Sequence, residues 1–449
     1  MIDTHGTTIQ RRHGGVLAAT AGLSAVVLGG MIVYRPVLAA ILVPGIAVLL
    51  LVLAVTRALI PADDTQLRRR VMTWTLAAFA IHLVIGLVIL SSSRLTTYFG
   101  GDATTYSAGA VGIYQHWVHG APLPSDLPAG KTGFYYMLAA LYLVFGVYSQ
   151  AGVVVNAAMA ALVVPLLTDA TRRHFGLAAT RAVPALSTLI PGFVIWGSQL
   201  LREAGVYFLI AVSLNGAVRL MHRTSLSAMT TMVGAVGLLV TFRADVGLIA
   251  GAALAVALTV GRRQVAGGLA SGLGTVVLIL ALVLGAGLGY SGYRFVADAN
   301  LSQINGIRAG SSQTAASGFL PEADVSSAQH AAGYLPLGSV YFLFGPAPWQ
   351  THGFRQVLAL PDVLVWWFLL PSLWRGIGEA RRRQGREVVL YLLPALALTL
   401  VLTLLVANFG TAVRERMQVI IFLVPLISLG WSVRHPVRAS GRVPVAADR

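Results

Sequence analysis

The feature that most constrains this chain is a succession of apolar runs separated by short polar breaks in which arginine predominates. The runs fall at about 14–34, 37–55, 71–90, 132–148, 151–167, 182–196, 205–220, 228–242, 246–260, 265–290, 357–374, 388–407 and 417–431. Crossing a bilayer takes roughly 20 apolar residues in a helix. Lipid offers no partner for a bare amide, so such runs satisfy their backbone internally as helices. An all-α, polytopic transmembrane helical bundle follows, with residues 1–449 forming one integral membrane domain. Composition agrees: the 449 residues are 56% hydrophobic and 11% charged, with mean hydropathy +0.77, outside the range of soluble domains. The first run, after the polar segment 1–13 with Arg11 and Arg12, reads as an uncleaved anchor rather than a signal peptide. With no cysteine, disulfides and thiol chemistry are excluded.

The net charge of +16 does not imply nucleic acid, because the arginines sit in clusters between apolar runs, where the positive-inside bias accounts for them. That bias puts the N-terminus, "LRRR" at 67–70, "RGIGEARRRQGRE" at 375–387 and the tail with Arg434, Arg438 and Arg442 in the cytoplasm. With both ends inside, the number of crossings is even, so one run does not cross fully and about twelve do. The short neighbours 132–148 and 151–167 are the candidates. If one of them lies along the interface, "TRRHFG" at 171–176, His222/Arg223 and Arg262/Arg263 also fall inside. The opposite, outer face then receives Asp102, Lys131, Arg202, Glu203, Arg243, Asp245, Arg414 and Arg416 from widely separated segments. Charges of both signs at helix ends predict a polar cavity there.

Two long polar interruptions, 91–131 and 291–356, are expected to be outer loops with interfacial helices, the first forming the site and the second covering donor or acceptor. In "YFGGDATTYSAGAVGIYQHW", 98–117, Tyr106, Val111, Tyr114 and Trp117 have the spacing of one helical face, and Asp102 before "ATTYSAGA" is suited both to N-capping and to chemistry. "LPAGKTG", 127–133, lacks the first glycine of a P-loop, Ser125 standing there. Its Lys131, the only lysine of the chain, reads as a headgroup or phosphate contact. Arg202 and Glu203 open a helix, and Arg243 with Asp245 in "TFRADVG" makes either a local ion pair or a substrate contact. Arg414 and Arg416 precede the last run, where guanidinium forks match phosphate. His116 and His119, at i and i+3, have the spacing for a divalent cation, with no third ligand nearby. The run "YFLFGPAPWQ", 341–350, is expected to pack on the bundle at the interface.

Several of these stretches together resemble the GT-C superfamily of polytopic glycosyltransferases, of the protein mannosyltransferase and lipid A aminoarabinose transferase type. They are "GGDATTY", "LAALYLVFG" at 138–146, "LLTDATRRHFG" at 166–176, "PGFVIWGSQLLREAG" with Ser198 and Glu203, and the R-x-R before the last run. The similarity covers about 95–210 and the C-terminal 40 residues. Two apolar runs precede the helix leading to the acidic loop where the family has one, and the family's paired acids appear as Asp102 alone, leaving Asp126 or Glu203 as the supporting acid.

The resemblance implies transfer of a sugar from a polyprenyl-phosphate donor to a hydroxyl of a lipid, glycan or protein acceptor on the outer face of a bacterial cytoplasmic membrane. Phosphate leaves as a stable anion, so one base and a set of cations suffice where glycosidases need two carboxylates. Asp102 is then the general base, Glu203 its support, and Lys131, Arg202, Arg243, Arg414 and Arg416, with Tyr106, the substrate contacts. No cofactor is required by this chemistry, and a divalent metal has only His116 and His119 to hold it. A polymerase or ligase of lipid-linked glycans shares these features, and a transporter or flippase is the non-enzymatic alternative.

Overall fold

The computed structural model describes residues 36–262 and 300–435, except 100, 126, 129 and 352, together with 274. The run 14–34, the run 265–290 apart from Gly274, both chain ends, Asp126 and the start of the loop 291–356 lie outside the described residues. The helices are α1 (Pro36–Leu59), α2 (Thr65–Leu90), α3 (Ser93–Phe99), α4 (Gly101–His119), α5 (Thr132–Phe145), α6 (Ser149–Phe175), α7 (Val183–Leu189), α8 (Pro191–Ser198) and α9 (Glu203–His222). They continue as α10 (Leu226–Phe242), α11 (Ala244–Gly261), α12 (Leu301–Thr314), α13 (Ala328–Phe344), α14 (Phe354–Gln384), α15 (Val389–Leu405) and α16 (Phe409–Arg434). Among the described residues the one β pairing is an isolated bridge between Gly318 and Asn408. The protein is an all-α polytopic membrane bundle.

Seven helical stretches among the described residues are long and apolar enough to cross a membrane, or eight if the bent pair α7–α8 is one crossing. The stretch 356–405 in that count holds both α14 and α15, on either side of the 3-10 turn Gly385–Val388. The expected dozen is therefore not reached by what is described. Length separates the two rival runs: α5 has 14 residues, about 21 Å at 1.5 Å per residue, whereas α6 has 27. Only α6 matches a hydrocarbon layer of about 30 Å. The run 182–196 is broken as well, because Pro191 drives Ile190 out of the helical region (ψ 120°) and α8 leaves α7 at 48°.

Burial sorts the bundle into centre and rim. In α6, α9 and α16, 89%, 83% and 83% of the apolar window lies inside the protein, against 17% for α1. Lipid is as apolar as leucine, so helix association relies on close packing at small residues. At the α14–α16 contact a Cβ added to Gly376 would lie 1.8 Å from the Leu426 carbonyl oxygen, and one on Gly430 1.8 Å from that of Ser372. Two "FG" elements end helices: Gly146 after α5 and Gly176 after α6 both have φ +83°.

The two ends of the bundle differ in charge. At one end Gln384 Nε2 donates to the His174 carbonyl at 2.8 Å, Arg386 Nη2 to that of Arg262 at 2.8 Å, and the His174 and His222 rings lie 5.3 Å apart. This gathers the arginines that close α6, α9, α11 and α14. The other end carries the first turns of α4, α9, α11 and α16.

Candidate functional site

Asn408 caps α16 by accepting from the Thr411 N–H at 2.8 Å, which sets the first turns of that helix. Arg414, Glu415 and Arg416 follow. Successive helical residues turn by about 100°, so residues two apart point to nearly opposite sides. The three side chains part accordingly. Arg414 Nη1 meets Asp102 Oδ2 at 3.1 Å, and its Nε lies 3.3 Å from Glu203 Oε1. The Trp196 ring of α8 stands 5.9 Å from the Arg414 guanidinium, within cation–π range. Glu415 Oε1 accepts from Arg243 Nη2 at 2.5 Å. Arg416 turns inward, is fully buried, and donates to Asp362 at 2.9 Å and to the carbonyls of Leu343 and Gly345 at 2.7 and 3.1 Å.

Asp102 lies inside the first turn of α4 rather than at its N-cap, where the helix dipole favours a carboxylate. Its side chain is 58% exposed, whereas Glu203 is 1% exposed. Both carboxylates approach the same guanidinium, one from the open side and one from the protein. The open side is a cavity of about 1020 Å³ between α3, α4, α8, the end of α12, α14 and α16. Asp102, Arg414, Asp362, Trp196, Gln356 and Asn408 line it, and Thr314, which ends α12, with residues 315–317 after it closes one wall. That strap is held by backbone bonds from the Phe319 N–H to the Ala407 carbonyl and from the Phe409 N–H to the Ser317 carbonyl, both 2.9 Å. Phe319, Tyr341 and Phe409 pack their rings beneath it.

Of the residues singled out by sequence, Asp102 and Arg414 line the cavity and Glu203 touches Arg414 from behind. Arg202, Arg243 and Lys131 come to the same end but not to the cavity wall. Arg202 is buried, with Nη1 3.4 Å from the Phe242 carbonyl and Nε 3.9 Å from Glu203. Arg243 is buried between Glu415 and Asp245, the latter at 3.3 Å. Burial opposes its charge, but Asp245, Glu415 and Glu203 outweigh burial and raise the guanidinium above its ordinary value. Burial, with Arg202 and Arg243 close by, holds the Lys131 ammonium below its ordinary value.

Two expectations are corrected, for Arg416 and for Tyr106 with its helix face. Arg416, grouped with Arg414 as a phosphate contact, instead braces α8, the turn after α13, α14 and α16, because Asp362 also accepts from the Gly192 N–H at 2.8 Å. Tyr106 is buried, its ring 5.0 Å from those of Phe134 and Tyr135, so it packs α4 on α5 and burial pushes its hydroxyl above the usual value. The buried stripe of α4 is Ala103, Tyr106, Ala110 and Ile113, while Trp117 stays 43% exposed. His116 Nδ1 donates to the Ala121 carbonyl at 2.7 Å, and among the described residues no group of three or more ligating side chains occurs.

Sequence reasoning passed over Glu415, Asp362 and Trp196 as partners. For Glu415 the signal was present: an acid set between two arginines in "RER" must face a third direction. No protein-family model matches this chain and no curated protein is similar to it, so what stands is the all-α, multi-pass membrane bundle with a cavity at one end whose largely apolar lining carries a few charged side chains.

Proposed function

We propose that the protein is a membrane glycosyltransferase that moves a sugar from a polyprenyl-phosphate donor to an acceptor hydroxyl. The observation that carries this reading is the meeting of Asp102 and Arg414, 312 residues apart, on the wall of one large cavity. Its volume, near the top of the usual range for ligand sites, has room for a sugar headgroup beside an acceptor. Asp102 takes the acceptor proton as the acceptor oxygen bonds to the sugar carbon. The carbon–phosphate oxygen bond breaks, its electron pair leaves with the phosphate, and Arg414 stabilises that charge. Glu203 fixes Arg414 from behind. No cofactor enters the scheme. The arginine-rich end is assigned to the cytoplasm of a bacterial inner membrane, with both termini inside and the cavity outside. Incubating the purified protein with a panel of polyprenyl-phosphate sugars, and following donor consumption, tests the reading. Asp102→Asn protein that folds, inserts and transfers at the normal rate would refute it.

One observation favours a second reading. The 48° break between α7 and α8, with the Gly192 N–H at the start of α8 bonded to Asp362, resembles the discontinuous helices of transporters. Movement of a labelled polyprenyl phosphate across sealed proteoliposomes, with no covalent product, would select it.

A further inference from the structure

The cavity presents a single cationic side chain among its described lining residues. Among the described residues that line it, the charged ones are Asp102, Asp362 and Arg414. Asp362 is committed to Arg416 and the Gly192 N–H, and its side chain is 2% exposed. Arg202 and Arg243 stand behind the wall, paired with Glu203, Asp245 and Glu415, and Lys131 is not among the lining residues either. Arg414 is therefore the guanidinium that a phosphate in the cavity would meet, and its cavity-facing Nη1 already holds Asp102 at 3.1 Å.

Resting on the transferase reading, we propose that Arg414 is a single seat for two anions: Asp102 occupies it in the empty protein, and the substrate phosphate displaces Asp102. The two carboxylates on Arg414 are unequally held. Glu203 is buried behind it and has nowhere to go. Asp102 is mostly exposed and meets Arg414 through one oxygen, and it sits in the first turn of α4, where the helix dipole still favours its charge after release. A phosphate and a carboxylate on the same guanidinium edge repel each other, so seating the phosphate expels Asp102. The carboxylate that the reaction needs as a base is thus masked until the donor arrives. Donor therefore binds before acceptor, and the base is exposed only when there is a bond to break.

The test measures binding of a short-chain polyprenyl monophosphate in detergent, and of inorganic phosphate as the headgroup alone, by calorimetry and by the fluorescence of Trp196 beside Arg414, taken as a difference against Trp196→Phe. Asp102→Asn and Asp102→Ser, which remove the competing charge, are expected to bind the lipid phosphate at least tenfold more tightly than wild type while failing to transfer sugar. Arg414→Gln is expected to lose binding. Equal or weaker binding by both Asp102 variants, with wild type binding normally, would overturn the shared seat and leave the transferase reading in place. Absence of phosphate binding in wild type and in both Asp102 variants would overturn both. Tightening toward the lipid but not toward inorganic phosphate would still support the seat and identify the lipid as its occupant.

Discussion

The two charged ends of the bundle use the same residue types in opposite ways. At the arginine-rich end the arginine pairs include local ones, buried Asp169 with Arg172 and Arg173 and Glu379 with Arg382 and Arg383, each three or four residues apart on one helix, beside a long-range contact of His174 Nε2 with Glu387 at 3.8 Å. Arg382 is 75% exposed there. At the cavity end, beside the local pairs Arg202–Glu203 and Arg243–Asp245, partners come from distant segments and most are buried: Asp102 with Arg414, Glu415 with Arg243, Asp362 with Arg416. Local exposed pairs are screened and contribute little, whereas a buried pair broken on one side leaves a charge that nothing solvates. Ion-pair number therefore says nothing about where the molecule depends on its charges; sequence separation and burial do.

Substitutions put this contrast to the test. The largest effect is expected at Asp102, where Asn should lower sugar transfer by about 10²- to 10⁴-fold. The unfolding temperature should stay unchanged, because that side chain is mostly exposed. Arg416→Leu should cost about 3–5 kcal/mol of stability, and Arg416→Leu combined with Asp362→Leu should recover most of it, read by thermal unfolding in detergent. If the single variant proved neutral, the buried end would behave like the exposed one and the distinction would fail. Lys131 gives a smaller effect. Its ammonium is held below 10.5 in the folded protein, so between the lowered value and 10.5 the unfolded chain binds the proton more tightly. Stability should then rise with pH across that window and level off above it. As the chain's only lysine, once dimethylated with carbon-13 it gives one side-chain resonance whose titration reports the lowered value directly. Smallest of all, Arg382→Ala at the opposite end should leave the unfolding temperature unchanged within error.

Much of this arrangement was legible in the sequence, for reasons particular residues make plain. The apolar runs located α1, α2, α6, α9 and α11, since lipid forces a helix wherever hydrophobicity is continuous. The clustering of Asp102, Glu203, Arg243 and Arg414 at one end followed from where each run begins or ends. What a run cannot report is the direction of a side chain around its helix. The sequence makes Arg414 and Arg416 equivalent, yet two positions of helical rotation send one to the cavity and the other into the core. Tyr106 was hidden for a related reason: its burial depends on α5 lying beside α4, a packing choice no local pattern encodes. The break before Pro191 was marked by the proline, but its angle belongs to the neighbours that receive α8.

The strap at 315–319 has a consequence beyond closing the cavity. A greasy rod in hydrocarbon can slide or roll along its own axis at little cost, because no water grips it. The last helix is denied that freedom at its entrance, where two backbone bonds and the contact of Asn408 Nδ2 with Ser311 Oγ at 2.8 Å hook it to the watery layer. The depth and rotation of Arg414 are thus fixed by one of the least greasy stretches of the chain, so that shortening or loosening that hook would mistune the guanidinium without touching it.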